Sequence, residues 1–130
     1  MKKQASKEKD IHSQVCRYLK LQYPNVMYNT DLSGIKLTIG QAVKLKNLRS
    51  FRGFPDIIIY EPIGNCHGLF VELKRDGERL RKMNGNFVSE HIQEQHECMQ
   101  QLEKRGYACA FAIGFEQAKE IIDKYLSLKT

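Results

Sequence analysis

Apolar residues follow two rhythms along the chain, and the changes of rhythm mark its elements. From about Lys7 to Gln22, Ile11, Val15 and Leu19 recur every fourth residue with Tyr18 beside them. That is the stripe of an amphipathic helix, and Pro24 stops it. Asn25 to Thr30 alternates as a short strand does, Val26 and Tyr28 against Met27. Asp31 to Gly40 contains Gly34 and the alternating Ile35, Leu37 and Ile39, which suits a hairpin or an irregular loop. Gln41 to Ser50 reads as a short helix with Val43 and Leu45. Asp56 to Tyr60 carries Ile57, Ile58 and Ile59, a run apolar on both faces and so the mark of a central strand. After a turn at Gly64 to Gly68, Leu69 to Lys74 is a second strand. It places Leu69, Val71 and Leu73 on one face and Phe70, Glu72 and Lys74 on the other. Polar Asp76 to Val88 is expected as an exposed loop. Ser89 can cap a helix that runs to Lys104 and is closed by Gly106. Tyr107 to Ile113 is a third apolar strand, and Gly114 precedes a last helix with Ala118, Ile121, Ile122, Tyr125 and Leu126 on one side.

This order predicts a mixed sheet with helices packed on its faces, an α/β class fold. A length of 130 residues fits one domain, expected over 8–130 after a frayed polar stretch at 1–7. Such a chain can bury a core without staples; with no Trp, that core must come from Phe, Tyr, Ile and Leu. The cysteines form no C-x-x-C pair, and without a signal peptide disulfides are not expected. Cys16, Cys98 and Cys109 fall on apolar positions and read as reduced core packing. No apolar run approaches membrane-spanning length, so no membrane partner is expected.

The chemistry concentrates in Gly53-Phe54-Pro55-Asp56, which runs straight into the three isoleucines, and in Glu72-Leu73-Lys74, set inside an apolar strand. Charged residues in such strands are costly unless paired or bound to metal. Glu72 and Lys74 are two apart and share one face, and if the two strands pair, Asp56 can lie close to Glu72. Crowded carboxylates repel, and a divalent cation relieves the repulsion. Oxygen ligands with room for water and phosphate suit Mg²⁺, with Mn²⁺ able to substitute. Such an ion would polarise a phosphodiester and acidify a bound water. Lys74 would orient or help deprotonate that water and offset charge on the transition state. Taken alone, Asp56 would merely start a strand and Glu72 and Lys74 would be a weak surface pair. Their setting, Gly-x-Pro-Asp before three isoleucines and then Val-Glu-Leu-Lys, is far more specific. A zinc site from His67, His91 and His96 with Cys66 and Cys98 is excluded by their spacing.

A formal charge of +6 is compatible with a polyanionic partner. Two basic clusters flank the acidic candidates: Lys44, Lys46, Arg49 and Arg52, and Arg75, Arg79, Arg81 and Lys82. The first is expected to hold DNA phosphates.

These residues resemble the PD-(D/E)xK nuclease superfamily, and more closely its virus-type replication-repair nuclease family, VRR-NUC, known as stand-alone phage proteins and as a domain of a larger repair nuclease. The family pattern has a Glu on the first helix, then G-x-PD-hydrophobic, E-x-K on a strand, a Gln opening a helix and a Gly-aromatic strand. Glu8, Gly53 to Asp56, Glu72 with Lys74, Gln95 and Gly106-Tyr107 occupy those positions, over nearly the whole chain. His12 stands where members often carry Gln, and Cys98 where they often carry Trp. The resemblance implies a restriction-endonuclease-like fold and a Mg²⁺-dependent endodeoxyribonuclease. It implies Asp56, Glu72, Lys74 and Gln95 as catalytic, Asp56, Glu72 and Glu8 toward metal, and branched DNA as substrate. It further implies a homodimer resolving four-way (Holliday) junctions in the cytoplasm of a bacterial host, as a phage or prophage protein. Alternatives are a flap or nicking endonuclease, or a non-catalytic DNA-binding module, against which the complete residue set argues.

Helical spacing agrees with two of these assignments. Gln95 shares a face with Ile92 and Met99, so its amide turns toward the sheet, where it can bind a metal-bound water or a scissile phosphate oxygen. Glu8 lies three before Ile11 and seven before Val15, again on the buried side, from where it can reach the metal as an outer ligand. A dimer interface can form from the first helix and the Asp31 to Gly40 segment. The other reading, that this segment packs on its own sheet, stands beside it.

Overall fold

The structure is a computed structural model that describes residues 8–31 and 35–128, with side chains from residue 10 onward. The elements in chain order are α1 (Glu8–Gln22), β1 (Tyr28–Thr30), α2 (Ile39–Leu48), β2 (Ile57–Ile59), β3 (Leu69–Lys74), α3 (Glu90–Lys104), β4 (Ala108–Ile113) and α4 (Phe115–Ser127). The strands form one sheet in the order β1-β2-β3-β4. β1 and β2 are antiparallel, as are β2 and β3, whereas β3 and β4 run parallel with α3 as the crossover between them. β2 is therefore interior, as its three isoleucines predict.

The pleat divides the sheet chemically. Ile57 and Ile59 face Val71 and Leu69 in register, and together with Leu73 and Ala112 they make one apolar face. Ile11, Val15 and Leu19 of α1 cover that face, joined by Ala118, Ile122 and Tyr125 of α4. Each fully buried Ile or Leu there contributes about 1.5–3 kcal/mol from leaving water. The phenol groups of Tyr18 and Tyr23 both donate to Asp123 Oδ1, tying α1 to α4. The other face lies under α3, which buries Ile92, Gln95, Cys98 and Met99. Glu72 and Lys74 belong to that second face, with Phe111 and Ile113 as their parallel partners on β4.

Several expectations shift. α2 starts at Ile39 rather than Gln41: Thr38 caps it, and Gln41 closes a reciprocal capping box through hydrogen bonds of 3.0 and 3.1 Å. Ile39 and Gly40 are thus helical, not hairpin, and residues 32–34 of that segment lie outside the described residues. α2 buries no residue. The 76–88 segment is exposed as expected, but it is not featureless. It folds back at Lys82 N–H to Asn86 O (2.7 Å) and Val88 N–H to Leu80 O (2.9 Å), with the Arg81 guanidinium 3.9 Å over the Phe87 ring. Cys98 is buried, whereas Cys16 and Cys109 are half-buried, and all the cysteines are free. Among the described residues, no helix is long and apolar enough to cross a membrane.

Candidate active site

Strand register brings the acidic pair together. Ile57 stands opposite Val71, so one further step of the same antiparallel register sets Asp56 opposite Glu72. The Leu73 N–H donates to Asp56 Oδ2 at 2.7 Å, which holds the carboxyl against β3. Glu72 and Lys74 project from the same strand face toward α3, where Gln95 sits on the buried side of the helix. Among the described residues, the buried polar or charged side chains are Asp56, Glu72, Lys74 and Gln95, at 5%, 2%, 3% and 4% exposure. Sequence and structure therefore gather the same four groups at one place.

Their hydrogen bonds form a closed array. The Lys74 ammonium donates to Gln95 Oε1 at 2.8 Å, and Gln95 Nε2 donates to Glu72 Oε1 at 2.8 Å. Lys74 Nζ lies 3.7 Å from the same Glu72 oxygen. An ammonium only donates and a carboxylate only accepts, so these contacts leave one orientation for the amide. Burying an ion pair costs several kcal/mol unless further hydrogen bonds offset the desolvation, which is what Gln95 does by bridging the two ends. The sequence did not foresee these contacts: the oxygen of Gln95 meets Lys74 and one of its N–H groups meets Glu72.

Burial raises the Asp56 carboxyl above its usual range. The Leu73 N–H, a side-chain hydrogen bond with Glu72 and the charges of His12 and Lys74 pull the other way. Cys98, beneath the array, has its thiol pushed up by burial and then by the Glu72 carboxylate.

Two carboxyls set opposite each other on neighbouring strands cannot both ionise comfortably, and the hard oxygen donors of Asp56 and Glu72 fit a divalent cation such as Mg²⁺. Among the described residues, no group of three or more His, Cys, Asp or Glu is placed to hold a metal. Among the described residues the carboxylates gathered here are Asp56 and Glu72, and a pair of carboxylates suits an ion that keeps several waters and takes substrate oxygens. Glu8 opens α1, but its side chain lies outside the described residues. His12, one turn further on, faces this end of the sheet closely enough to act on Asp56.

The Gly-x-Pro-Asp turn positions Asp56 by close approach. Gly53 has φ +81°, and a Cβ there would stand 2.9 Å from both the N and Cα of Gln95. The chain entering β2 thus rests on the α3 backbone where Gln95 projects, and only glycine permits it.

Beside the array, α2 and the start of α3 enclose a groove of 670 Å³. Lys46, Arg49 and Arg52 line it, with His91 and Glu94 on the opposite wall. Arg49 is ion-paired with Asp31, whose N–H donates to Asp56 O at 2.7 Å, so the end of α2 is fastened to the sheet beside the site. Arg52 lies 3.9 Å from Glu94. Lys44 is the exception among the predicted basic residues: it is exposed on α2 but does not line the groove. A helix advances about 100° per residue, so Lys44 and Lys46 diverge, whereas Lys46 and Arg49 share a side.

Sequence reading overlooked His91, which entered only as a rejected zinc ligand. Its Nε2 lies 3.1 Å from Gln95 Nε2. The signal was available as the i, i+4 spacing between His91 and Gln95 on a predicted helix.

No family model matches the chain, and no curated protein matches it. Among solved structures, a VRR_NUC domain protein superposes with a TM-score of 0.71 at 23% identity, covering 98% of this chain and 93% of that one. The fold of the chain is thus that of a VRR_NUC domain protein, a four-stranded mixed sheet with four helices among the described residues.

Proposed function

We propose that the chain is a divalent-metal-dependent DNA endonuclease of the PD-(D/E)xK type. One observation carries the reading: the buried polar side chains of the described residues gather at one place, Glu72, Lys74 and Gln95 in one hydrogen-bonded array and Asp56 held against the same strand by the Leu73 N–H, beside a basic groove. The fold shared with a VRR_NUC domain protein supports it.

The residues divide the work as follows. Lys46 and Arg52, with Arg49 between them, hold backbone phosphates along the groove and bring one phosphodiester to the array. Asp56 and Glu72 would hold the cation, which supplies Lewis-acid polarisation of the phosphodiester and acidifies water in the site. Lys74 is kept in place by Gln95 and retains N–H donors for the attacking water and the phosphate oxygens. As the water oxygen bonds to phosphorus and one ester P–O bond breaks, charge grows on the phosphoryl oxygens, and the Lys74 ammonium offsets it. The attacking water gives up a proton and the departing oxygen takes one up, so the hydrolysis balances. No covalent bond to the protein forms.

The finer reading is cleavage of branched DNA, four-way junctions among them, by a homodimer. Two paired nicks need two sites at a fixed distance, and twofold pairing of one chain supplies them. Its support is the exposed apolar side of α2 at Ile39 and Val43, 88% and 52% exposed, with Ile35 before it at 59%. The interface expected on α1 moves there, because α1 spends its apolar face on β3 and α4. Incubating the protein with labelled four-way, flap, nicked and linear DNAs in Mg²⁺, Mn²⁺ or EDTA tests both levels. Metal-dependent cutting concentrated on branched substrates is expected. No cutting of any substrate with either metal would remove the nuclease reading, and equal cutting of linear duplex would remove the branched one.

A further inference from the structure

His91 is exposed on the first turns of α3 and forms part of the groove wall opposite Lys46 and Arg49. The Gln95 amide orientation is settled by Lys74 and Glu72, so the atom 3.1 Å from His91 Nε2 is an amide nitrogen, which can only donate. His91 Nε2 must therefore accept, and the ring proton sits on Nδ1. Both N–H groups of Gln95 are then used, one on Glu72 and one on His91, and its oxygen is used on Lys74. A continuous path runs from the groove surface through His91 and Gln95 to the buried Lys74–Glu72 pair.

We propose, on the basis of the nuclease reading above, that His91 is a positioning residue that couples the DNA backbone to the buried array. Its Nδ1–H donates to a phosphate oxygen of DNA lying in the groove, while its Nε2 fixes the Gln95 amide and, through it, the relative placement of Lys74 and Glu72. The groove makes this geometry useful: the imidazole lines the same groove as Lys46, Arg49 and Arg52, where a phosphate is drawn by charge, and it contributes direction rather than charge. A neutral imidazole is the form that can do both tasks at once.

Two measurements test this, one of them independent of cleavage. Long-range ¹H–¹⁵N NMR at pH 8 should find the His91 proton on Nδ1, and Gln95→Leu should release that preference. Adding a duplex oligonucleotide in EDTA should shift the His91 ring signals. In kinetics, His91→Ala should lower kcat about tenfold, the scale of one lost hydrogen bond to the array. His91→Gln can set its carbonyl oxygen where Nε2 stands and should recover most of that loss in kcat, while KM should be raised in both variants because the Nδ1–H donor is gone. A proton found on Nε2, ring signals unmoved by duplex, or His91→Ala with wild-type kcat and DNA affinity would each overturn the proposal. If the wild-type protein cuts no DNA, the proposed function fails, and the tautomer and the duplex-induced shift still decide the role of His91.

Discussion

Gly53 lies directly against the backbone of Gln95: a Cβ at position 53 would come within 2.9 Å of the Gln95 N and Cα. The turn that launches Asp56 and the helix that presents Gln95 are thus pressed together with no room for a side chain. Gly53→Ala meets both this contact and a φ of +81°, a conformation costing of order 1–3 kcal/mol for other residues. It should lower the urea midpoint and separate Asp56 from Gln95, so that cleavage falls further than stability alone accounts for. Denaturation and single-turnover rates on one preparation check this; wild-type values for both would mean that the turn does not set the site.

Metal is the second prediction. Cleavage should require Mg²⁺ or Mn²⁺ and stop with EDTA. Calcium should support DNA binding without turnover, since its looser coordination places water poorly. Full activity in EDTA would contradict the roles given to Asp56 and Glu72.

Chemistry and binding should separate by residue. Lys74→Ala should reduce kcat by about 10²–10³ with little change in DNA affinity, the scale of losing one preorganised charge at a transition state. Lys46→Ala should weaken binding and lower the salt dependence of log Kd by about one phosphate contact. Lys44→Ala, outside the groove, should do less than Lys46→Ala. Equal effects from Lys44 and Lys46 would mean that DNA takes another path across α2.

Asp56 gives a stability prediction with a definite sign. Burial raises its carboxyl above the unfolded value, so the folded state holds this proton more tightly. The resulting contribution is fully present below the unfolded pKa, near 4, and is lost as pH rises through the folded value. At neutral pH without metal, the ionised group is a cost. Asp56→Asn keeps an acceptor for the Leu73 N–H and should raise the urea midpoint in EDTA at pH 7 while abolishing cleavage. The gain should shrink toward pH 4. A less stable Asp56→Asn protein at pH 7 would show that the partners of Asp56 outweigh its burial.

Dimerisation is the last prediction. Sedimentation equilibrium at micromolar concentration should give twice the mass of one chain, and Val43→Glu, on the exposed apolar side of α2, should return it to one. A wild-type monomer with DNA bound would favour a flap or nicking activity over paired cuts.

Sequence by itself determined the strands, all four helices, with the start of α2 placed two residues late, and the four groups of the array. The reason is local: Ile57 to Ile59 and Leu69 to Lys74 can be satisfied only as strands in a core, and a Glu and a Lys inside such a run demand partners. Gln95 was assignable from its place on the buried stripe of α3. The tertiary structure decided everything that depends on which atoms meet. It directed the Gln95 amide to Lys74 and Glu72, because α3 crosses the sheet above that pair. It made Gly53 obligatory through the helix backbone it touches, separated Lys44 from Lys46 by the turn of α2, and joined His91 to the array. The Gln95 contacts with the sheet and the approach of Gly53 join elements distant in the chain, set by register and by how α3 packs, so composition and period do not carry them; the divergence of Lys44 from Lys46 and the His91–Gln95 spacing follow helical period, and only the packing decides what those residues meet.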